Sequence, residues 1–291
     1  MKIILFGSSG QLGSGLLRKL LKNDLYQVFN FDSRSCNLND KDIIQSKIIS
    51  IKPDLIINCA AYTNVDAAES DYEKAYAINR DAIGIVAKSS KNIGCIVIHI
   101  STDYVFDGNY ENEYLEDHKK SPLSVYGKSK SEGEDILIKQ LTKYVILRTS
   151  WLVSESRKSF VGKIFESLSI KKNVSVVNDQ LGKMTSVEWL SDVIVLIIEK
   201  LLKKNFNFGI YNVACAGSVS WYKIAENIAE FMSLKSDETY TVKKISIKDL
   251  DLPAVRPNKT MLSTKKIEKT LNVTSPHWKK ELQKILERIS A

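Results

Sequence analysis

Tyr126 and Lys130 stand four residues apart in the stretch Tyr126-Gly127-Lys128-Ser129-Lys130. On a helix that spacing places both side chains on one face, one turn apart. A free phenol has a pKa of about 10 and exchanges protons poorly near neutrality. A neighbouring ammonium supplies the missing help by stabilising the phenolate. Upstream, Ser101-Thr102-Asp103 closes an apolar run, and a threonine hydroxyl at the carboxyl end of a strand can hydrogen-bond a substrate oxygen. The three groups Tyr126, Lys130 and Thr102 form a candidate catalytic set for passing a proton to or from an oxygen. Tyrosine and lysine at this spacing are also common on exposed helix surfaces, so the set gains its weight from the elements around it.

The first of those elements is Gly7-Ser8-Ser9-Gly10-Gln11-Leu12-Gly13, which follows an apolar run and opens a stretch of helical periodicity. In that setting Gly7, Gly10 and Gly13, with Gln11 and Leu12, predict a tight turn whose backbone N–H groups meet a pyrophosphate at a helix N-terminus. Asp32 lies about twenty residues on, at the end of the next apolar run, where an acid bonds the adenosine ribose of NAD. Arg34, two residues later, could instead neutralise a 2′-phosphate, so both NADH and NADPH fit the sequence. Lys130 would then hold the nicotinamide ribose as well as tune Tyr126.

These residues need a scaffold of parallel strands. Strands are expected at residues 2–6, 26–31, 55–59, 95–100 and 144–148, and helices at 11–22, 72–91 and 123–140. The alternation predicts an α/β fold, a Rossmann-type doubly wound parallel sheet with right-handed crossovers. It assigns residues 1–150 to nucleotide binding, with returning segments from about 185–215, and residues 151–291 mostly to a smaller C-terminal substrate-binding lobe over the carboxyl edge of the sheet. In that second part helices are expected at 160–169, 187–203, 220–232 and 278–289, and strands at 174–177 and 210–213. With no repeat or low-complexity linker, the two parts are expected to pack as one unit.

The 291-residue chain carries a formal charge of +8, but its lysines are scattered and no basic cluster interleaves with aromatics, which argues against a nucleic-acid partner. No apolar run is long enough to span a membrane or to act as a secretory leader. Cys36, Cys59, Cys95 and Cys215 lack metal or redox spacing, and four free thiols fit a cytoplasmic location.

Beyond the glycine loop and Tyr126 with Lys130, the chain contains Pro53-Asp54-Leu55-Ile56-Ile57-Asn58-Cys59-Ala60-Ala61-Tyr62-Thr63-Asn64-Val65-Asp66-Ala67-Ala68-Glu69, Ser101-Thr102-Asp103-Tyr104-Val105-Phe106-Asp107-Gly108, Arg148-Thr149-Ser150-Trp151, Asn178-Asp179-Gln180-Leu181-Gly182 and Arg256-Pro257. In these segments it resembles the extended short-chain dehydrogenase/reductases, and more narrowly the dTDP-4-dehydrorhamnose reductase family, over nearly its whole length. The resemblance implies NAD(P)H-dependent reduction of the C4 ketone of dTDP-4-dehydro-β-L-rhamnose for surface polysaccharide. It also implies that Ala60, Ala61, Tyr62 and Thr63 line the nicotinamide side, and that Asn37 and Leu38 sit at the adenine. Thr102, Asp103 and Tyr104 would orient the sugar, Trp151 would wall its pocket, and Arg256 would pair with the diphosphate. A dTDP-sugar is the expected substrate, and a homodimer is compatible.

The chain departs from the family at three places. Asn37 replaces an acid common before Leu38. Ser14-Gly15 stands where some members carry a glutamate that helps hold Mg²⁺ between subunits, which leaves Glu188 as the one remaining carboxylate; no tightly bound metal is expected. Lys259-Thr260-Met261 replaces a stretch that usually contains serine, so reduction of another dTDP-, UDP- or GDP-linked 4-keto-6-deoxysugar is an alternative. A dehydratase would need a carboxylate where Tyr104 stands, and an epimerase a serine-rich segment in place of Ser101-Thr102-Asp103. A non-catalytic NADP-binding regulatory subunit would share the scaffold, but Tyr126, Lys130 and Thr102 are intact.

Overall fold

The computed structural model describes residues 1–290. In chain order it begins with strand β1 (Lys2–Phe6), helix α1 (Gln11–Leu20), β2 (Gln27–Phe31), α2 (Lys41–Ile51) and β3 (Leu55–Asn58). The next segments are α3 (Val65–Ser70), α4 (Tyr72–Tyr76), a π turn (Ala77–Asp81), α5 (Ala82–Ile93), β4 (Ile96–Thr102), α6 (Val125–Gln140) and β5 (Tyr144–Thr149). After β5 come β6 (Leu152–Val153), α7 (Phe160–Lys171), β7 (Asn173–Val177), β8 (Leu181–Gly182), β9 (Thr185–Ser186), α8 (Val187–Leu202) and β10 (Gly209–Val213). The chain ends with β11 (Val219–Ser220), α9 (Trp221–Leu234), β12 (Thr241–Ile245), β13 (Lys259–Thr260), α10 (Lys265–Leu271) and α11 (Trp278–Ser290).

The expected α/β fold is present. Six parallel strands pair in the order β10-β5-β4-β3-β1-β2. The chain winds from β1 outward to β2, then crosses to the other side at β3, so a crevice opens above the carboxyl ends of β1 and β3. Alternation along the strands fills both faces. Ile3 and Leu5 of β1 pack with Leu12 and Leu16 of α1 and Val193 and Ile197 of α8. Ile4 and Phe6, pointing the other way, pack with Ile44 and Ile48 of α2, Ile83 and Val86 of α5 and Leu137 of α6. A third cluster, including Val161, Leu168, Ile224, Ile228, Leu282 and Ile285, forms the core beneath α7, α9 and α11.

Several elements differ from expectation: α3, α10, β12 and the two-residue strands β6, β8, β9, β11 and β13 were not expected, and two further differences bear on the site. The helix expected over 72–91 is broken by the π turn, whose extra residue rotates Asn79 inward, where it is buried. Helix α2 was not anticipated. It is signalled by Asp40, whose carboxylate accepts hydrogen bonds from the backbone N–H groups of Asp42 and Ile43 and caps the helix.

One ion pair in the fold is buried at both ends. The Arg148 guanidinium on β5 donates to both carboxylate oxygens of Glu134 on α6, from Nε at 3.0 Å and Nη2 at 2.7 Å. Its Nη1 donates to the Glu116 carbonyl at 2.9 Å. Ser101 of β4 donates to the same carboxylate at 2.5 Å, and the Lys120 ammonium stands 3.4 Å away. Burial would push Glu134 up, but Arg148, Lys120 and Ser101 together hold it below the usual carboxylate range. Removing one partner leaves a buried charge uncompensated. Arg148→Met should therefore lower unfolding free energy by about 3–5 kcal/mol, measured by urea titration at pH 7; a loss within ordinary surface-mutation range would show that the pair is dispensable.

Candidate active site

Helix α6 carries Tyr126 and Lys130, and its position is set at its first turn. Ser124 caps it by accepting from the Gly127 N–H at 3.2 Å, and the Glu69 carboxylate accepts from the Val125 N–H at 2.8 Å. Gly127 has no Cβ because the carbonyl of Tyr104 occupies that space. This close approach brings the helix against the loop after β4, so that the rings of Tyr104 and Tyr126 meet edge to face at 5.5 Å. One turn further along the helix, Lys130 is fully buried, and its ammonium nitrogen donates to the Ile100 carbonyl at 2.7 Å.

Thr102 ends β4 with its hydroxyl donating to Asp103 Oδ1 at 3.1 Å and accepting from the Tyr104 N–H at 3.2 Å. The other Asp103 oxygen accepts from the Thr260 hydroxyl at 2.5 Å, which ties the sheet to β13. Burial pushes the Asp103 carboxyl up to about 6, against the pull of the Thr260 and Thr102 hydroxyls. Burial also pushes the Tyr126 phenol up to about 12; the neighbouring Thr102 hydroxyl opposes this and the Asp103 charge adds to it. Burial brings Lys130 down to about 8, opposed by Glu134 and Cys59. The ammonium expected to lower the phenol is directed to the Ile100 carbonyl, and in the free protein desolvation sets Tyr126.

A cavity of about 600 Å³ extends from the glycine loop to these residues. Gly7, Gly10, Gln11 and Leu12 line one end with Asp32, Asn37 and Leu38. Ala60, Ala61 and Thr63 line the middle, and Thr102, Asp103, Tyr104, Tyr126, Lys130 and Trp151 line the other end. The walls suit a dinucleotide. Gly7 has φ +78°, and a Cβ there would meet the Ala60 backbone nitrogen at 2.6 Å. The N-cap of α1 is Gly10, which offers no side-chain acceptor, so first-turn N–H groups are available to an anion. Asp32 lies at the rim, its Oδ1 accepting from the N–H groups of Arg34 and Ser35 at 3.1 and 2.9 Å.

Four expected residues do not line the cavity. Gly13 packs its α-carbon beneath the Gly7 carbonyl, where a Cβ would not fit, and so seats α1 against the loop. Arg34 is exposed beyond the rim. Tyr62 is turned away, with its backbone N–H donating to Asn79 Oδ1 at 2.9 Å and its hydroxyl 3.4 Å from Asp71. Arg256 is occupied by Asp66, to which Nη1 and Nη2 donate at 3.0 and 2.6 Å.

Trp151 is held at φ 45°, with Gly182 directly beneath its ring and Trp221 stacked on it at 3.9 Å. Trp221, Ser9, Ser33, Cys36, Cys59 and Ser150 also line the cavity and were not anticipated. Ser9, Cys59 and Ser150 fall within the glycine loop, the Pro53–Glu69 segment and the Arg148–Trp151 segment; Trp221 stands on a helix with no local sign of its neighbour. Glu188 lies away from the cavity, paired with Arg288 and 3.8 Å from Lys19. Among the described residues no three histidine, cysteine or acidic side chains gather as a metal site, and no helix is long and apolar enough to cross a membrane.

A doubly wound parallel sheet with a glycine loop at its crevice, Thr102 at the end of β4, and Tyr126 and Lys130 on α6 lining the same cavity defines a nicotinamide-dependent reductase of the extended short-chain type. The family model described as the RmlD substrate binding domain matches residues 1–291. A dTDP-4-dehydrorhamnose reductase of Aggregatibacter actinomycetemcomitans is 35% identical over 287 residues, 98% of each chain. The crystal structure of dTDP-4-dehydrorhamnose reductase from Bacillus anthracis in complex with NADP superposes with a TM-score of 0.90 at 32% identity, covering 99% of each chain. A UDP-glucose 4-epimerase of Thermus thermophilus in complex with NAD has a TM-score of 0.83 at 16% identity, which shows the shared fold alone. The chain belongs to the dTDP-4-dehydrorhamnose reductase family.

The raised Asp103 pKa has a stability consequence. An unfolded aspartate titrates near 3.9, so the neutral form is favoured by folding; that contribution is full below about pH 4 and is lost as the pH rises through about 6. Asp103→Asn, which cannot ionise, should be more stable than wild type by on the order of 1–3 kcal/mol at pH 7.5. The difference should shrink at pH 4. Urea unfolding at both values checks this, and a pH-independent difference would contradict it.

Proposed function

We propose that the protein reduces the C4 ketone of dTDP-4-dehydro-β-L-rhamnose to dTDP-β-L-rhamnose with NADPH or NADH, for surface polysaccharide. The carrying observation is the convergence of Tyr126, Thr102 and Lys130 at the end of a cavity that begins at the glycine loop. When bound, the nicotinamide cofactor supplies hydride to the carbonyl carbon. Gly7, Gly10, Gln11 and Leu12 hold its pyrophosphate, Asp32, Asn37 and Leu38 its adenosine end, and Ala60, Ala61 and Thr63 its nicotinamide side. Arg34 is free to meet a 2′-phosphate.

Tyr126 acts as the general acid. Its raised pKa keeps the phenol protonated throughout the neutral range, the form that reduction requires. Thr102 hydrogen-bonds the carbonyl oxygen as charge develops, and Lys130 stabilises the oxygen of Tyr126 as its proton leaves. Asp103, Tyr104 and Trp151 fix the sugar. Lys259, Thr260 and Met261 do not line the cavity themselves, and the segment meets the sugar site through the Thr260 hydroxyl on Asp103, so a different 4-keto-6-deoxysugar is kept as the second reading. A cytoplasmic location rests on four unpaired thiols, three of them buried, and pairing with a second copy rests on the family resemblance.

Purified protein supplied with NADPH and dTDP-4-dehydro-β-L-rhamnose should form dTDP-β-L-rhamnose, identified by NMR of the product. Tyr126→Phe should lower kcat by about 10²–10⁴-fold while retaining NADPH binding. Turnover at the wild-type rate in that variant would sink the assignment of the acid. Wild-type protein that binds NADPH without turning over any nucleotide sugar would favour the regulatory reading.

Arg256 reaches the sugar diphosphate only by exchanging Asp66 for phosphate oxygens. Arg256→Ala should raise KM for the nucleotide sugar by roughly 10–100-fold, the worth of a charged hydrogen bond, and leave KM for NADPH close to wild type. Equal effects on both constants would place Arg256 outside the substrate site.

A further inference from the structure

Behind Lys130 lies a buried side-chain chain that the reduction step does not use. His99 on β4 is fully buried, with Nδ1 3.1 Å from Asn58 Nδ2 and Nε2 3.2 Å from Lys130 Nζ. Asn58 ends β3, and its Oδ1 accepts from the Ala60 backbone N–H at 3.3 Å. Ala60 lines the cavity.

The hydrogens in this chain are constrained by its far end. A backbone N–H can only donate, so it fixes Oδ1 towards Ala60 and Nδ2 towards the imidazole. Nδ1 must then be bare. A fully buried ring with no carboxylate partner is neutral, and burial together with the Lys130 charge holds its pKa well below the ordinary value. The ring proton is therefore on Nε2, pointing at Lys130. An ammonium there would oppose hydrogen to hydrogen, whereas an amine accepts the Nε2–H and still donates to Ile100.

We infer that His99, oriented by Asn58, is a positioning residue for Lys130: it holds the side-chain nitrogen against β4 and favours its amine form. The inference rests on the proposed role of Lys130 in assisting Tyr126. The other ionisable groups around Lys130 are Tyr126 and Glu134 on its own helix and Cys59 after β3. Glu134 is committed to Arg148, Lys120 and Ser101, and burial pushes the Cys59 thiol up to about 12. His99 is thus the neighbour whose donor–acceptor state can bias Lys130.

Turnover depends on the ammonium form, so activity falls on the alkaline side as Lys130 loses its proton. In His99→Gln the side-chain carbonyl can turn towards Lys130 and accept from the ammonium. The alkaline limb of the kcat profile should move up by about one pH unit, with Tyr126 still required. A limb that stays at its wild-type position in folded His99→Gln would overturn the inference. A readout independent of turnover uses ¹⁵N long-range NMR of the unsubstituted protein, whose three histidines are His99, His118 and His277. His118→Gln and His277→Gln, combined, identify the His99 signal. A neutral ring protonated at Nε2 from pH 6 to 8 is expected. An imidazolium or an Nδ1–H tautomer would overturn the proposal whether or not the sugar substrate is correctly named.

Discussion

The buried pairing of Glu134 and Arg148 is the constraint from which the site's geometry follows. It joins α6 to β5, reaches β4 through Ser101 and reaches the segment before α6 through Glu116 and Lys120. Ser101 immediately precedes Thr102, and Glu134 is one helical turn from Lys130. The same carboxylate therefore fixes the strand that ends in the hydroxyl and the helix that carries the phenol and the amine. A surface ion pair could not do this, because water would compete for both partners and leave the helix free to slide.

Charge is accommodated differently a few ångströms away. Asp103 and Lys130 are as buried as Glu134, yet neither has a full counter-charge, and both are pulled towards neutrality. The fold thus sets a fully buried, satisfied ion pair beside two ionisable groups held near the middle of the pH range. The first is a structural solution to burying charge. The second is what a proton-handling site requires, and it is tolerable because the neighbouring pair anchors the backbone.

Much of this was legible in the chain. Alternating apolar runs announced the parallel sheet, the glycine loop announced its crevice, and the four-residue spacing of Tyr126 and Lys130 required only a helix. Other features depend on distant partners. The exclusion of a side chain at Gly127 comes from the Tyr104 carbonyl, and the inward turn of Asn79 comes from a π insertion without a marker in local periodicity. Arg256 reads in the sequence as a cation for a diphosphate, but its partner Asp66 lies 190 residues earlier, so its commitment in the free protein could not be read. His99 looked like one more position in an apolar strand, because its meaning comes from Asn58 and Lys130 on the flanking elements.

The stacked indoles of Trp151 and Trp221 join two parts of the molecule that are far apart in the chain. One follows the last strand shared with the catalytic helix; the other opens α9, above the third core cluster. Stacking contributes only modest free energy beyond the area it hides. Its optical consequence is larger: two chromophores in van der Waals contact couple their electronic transitions, and the coupling depends steeply on separation and angle. The protein therefore carries a built-in spectroscopic ruler in the wall of its cavity, one that registers how the two segments sit without any added label.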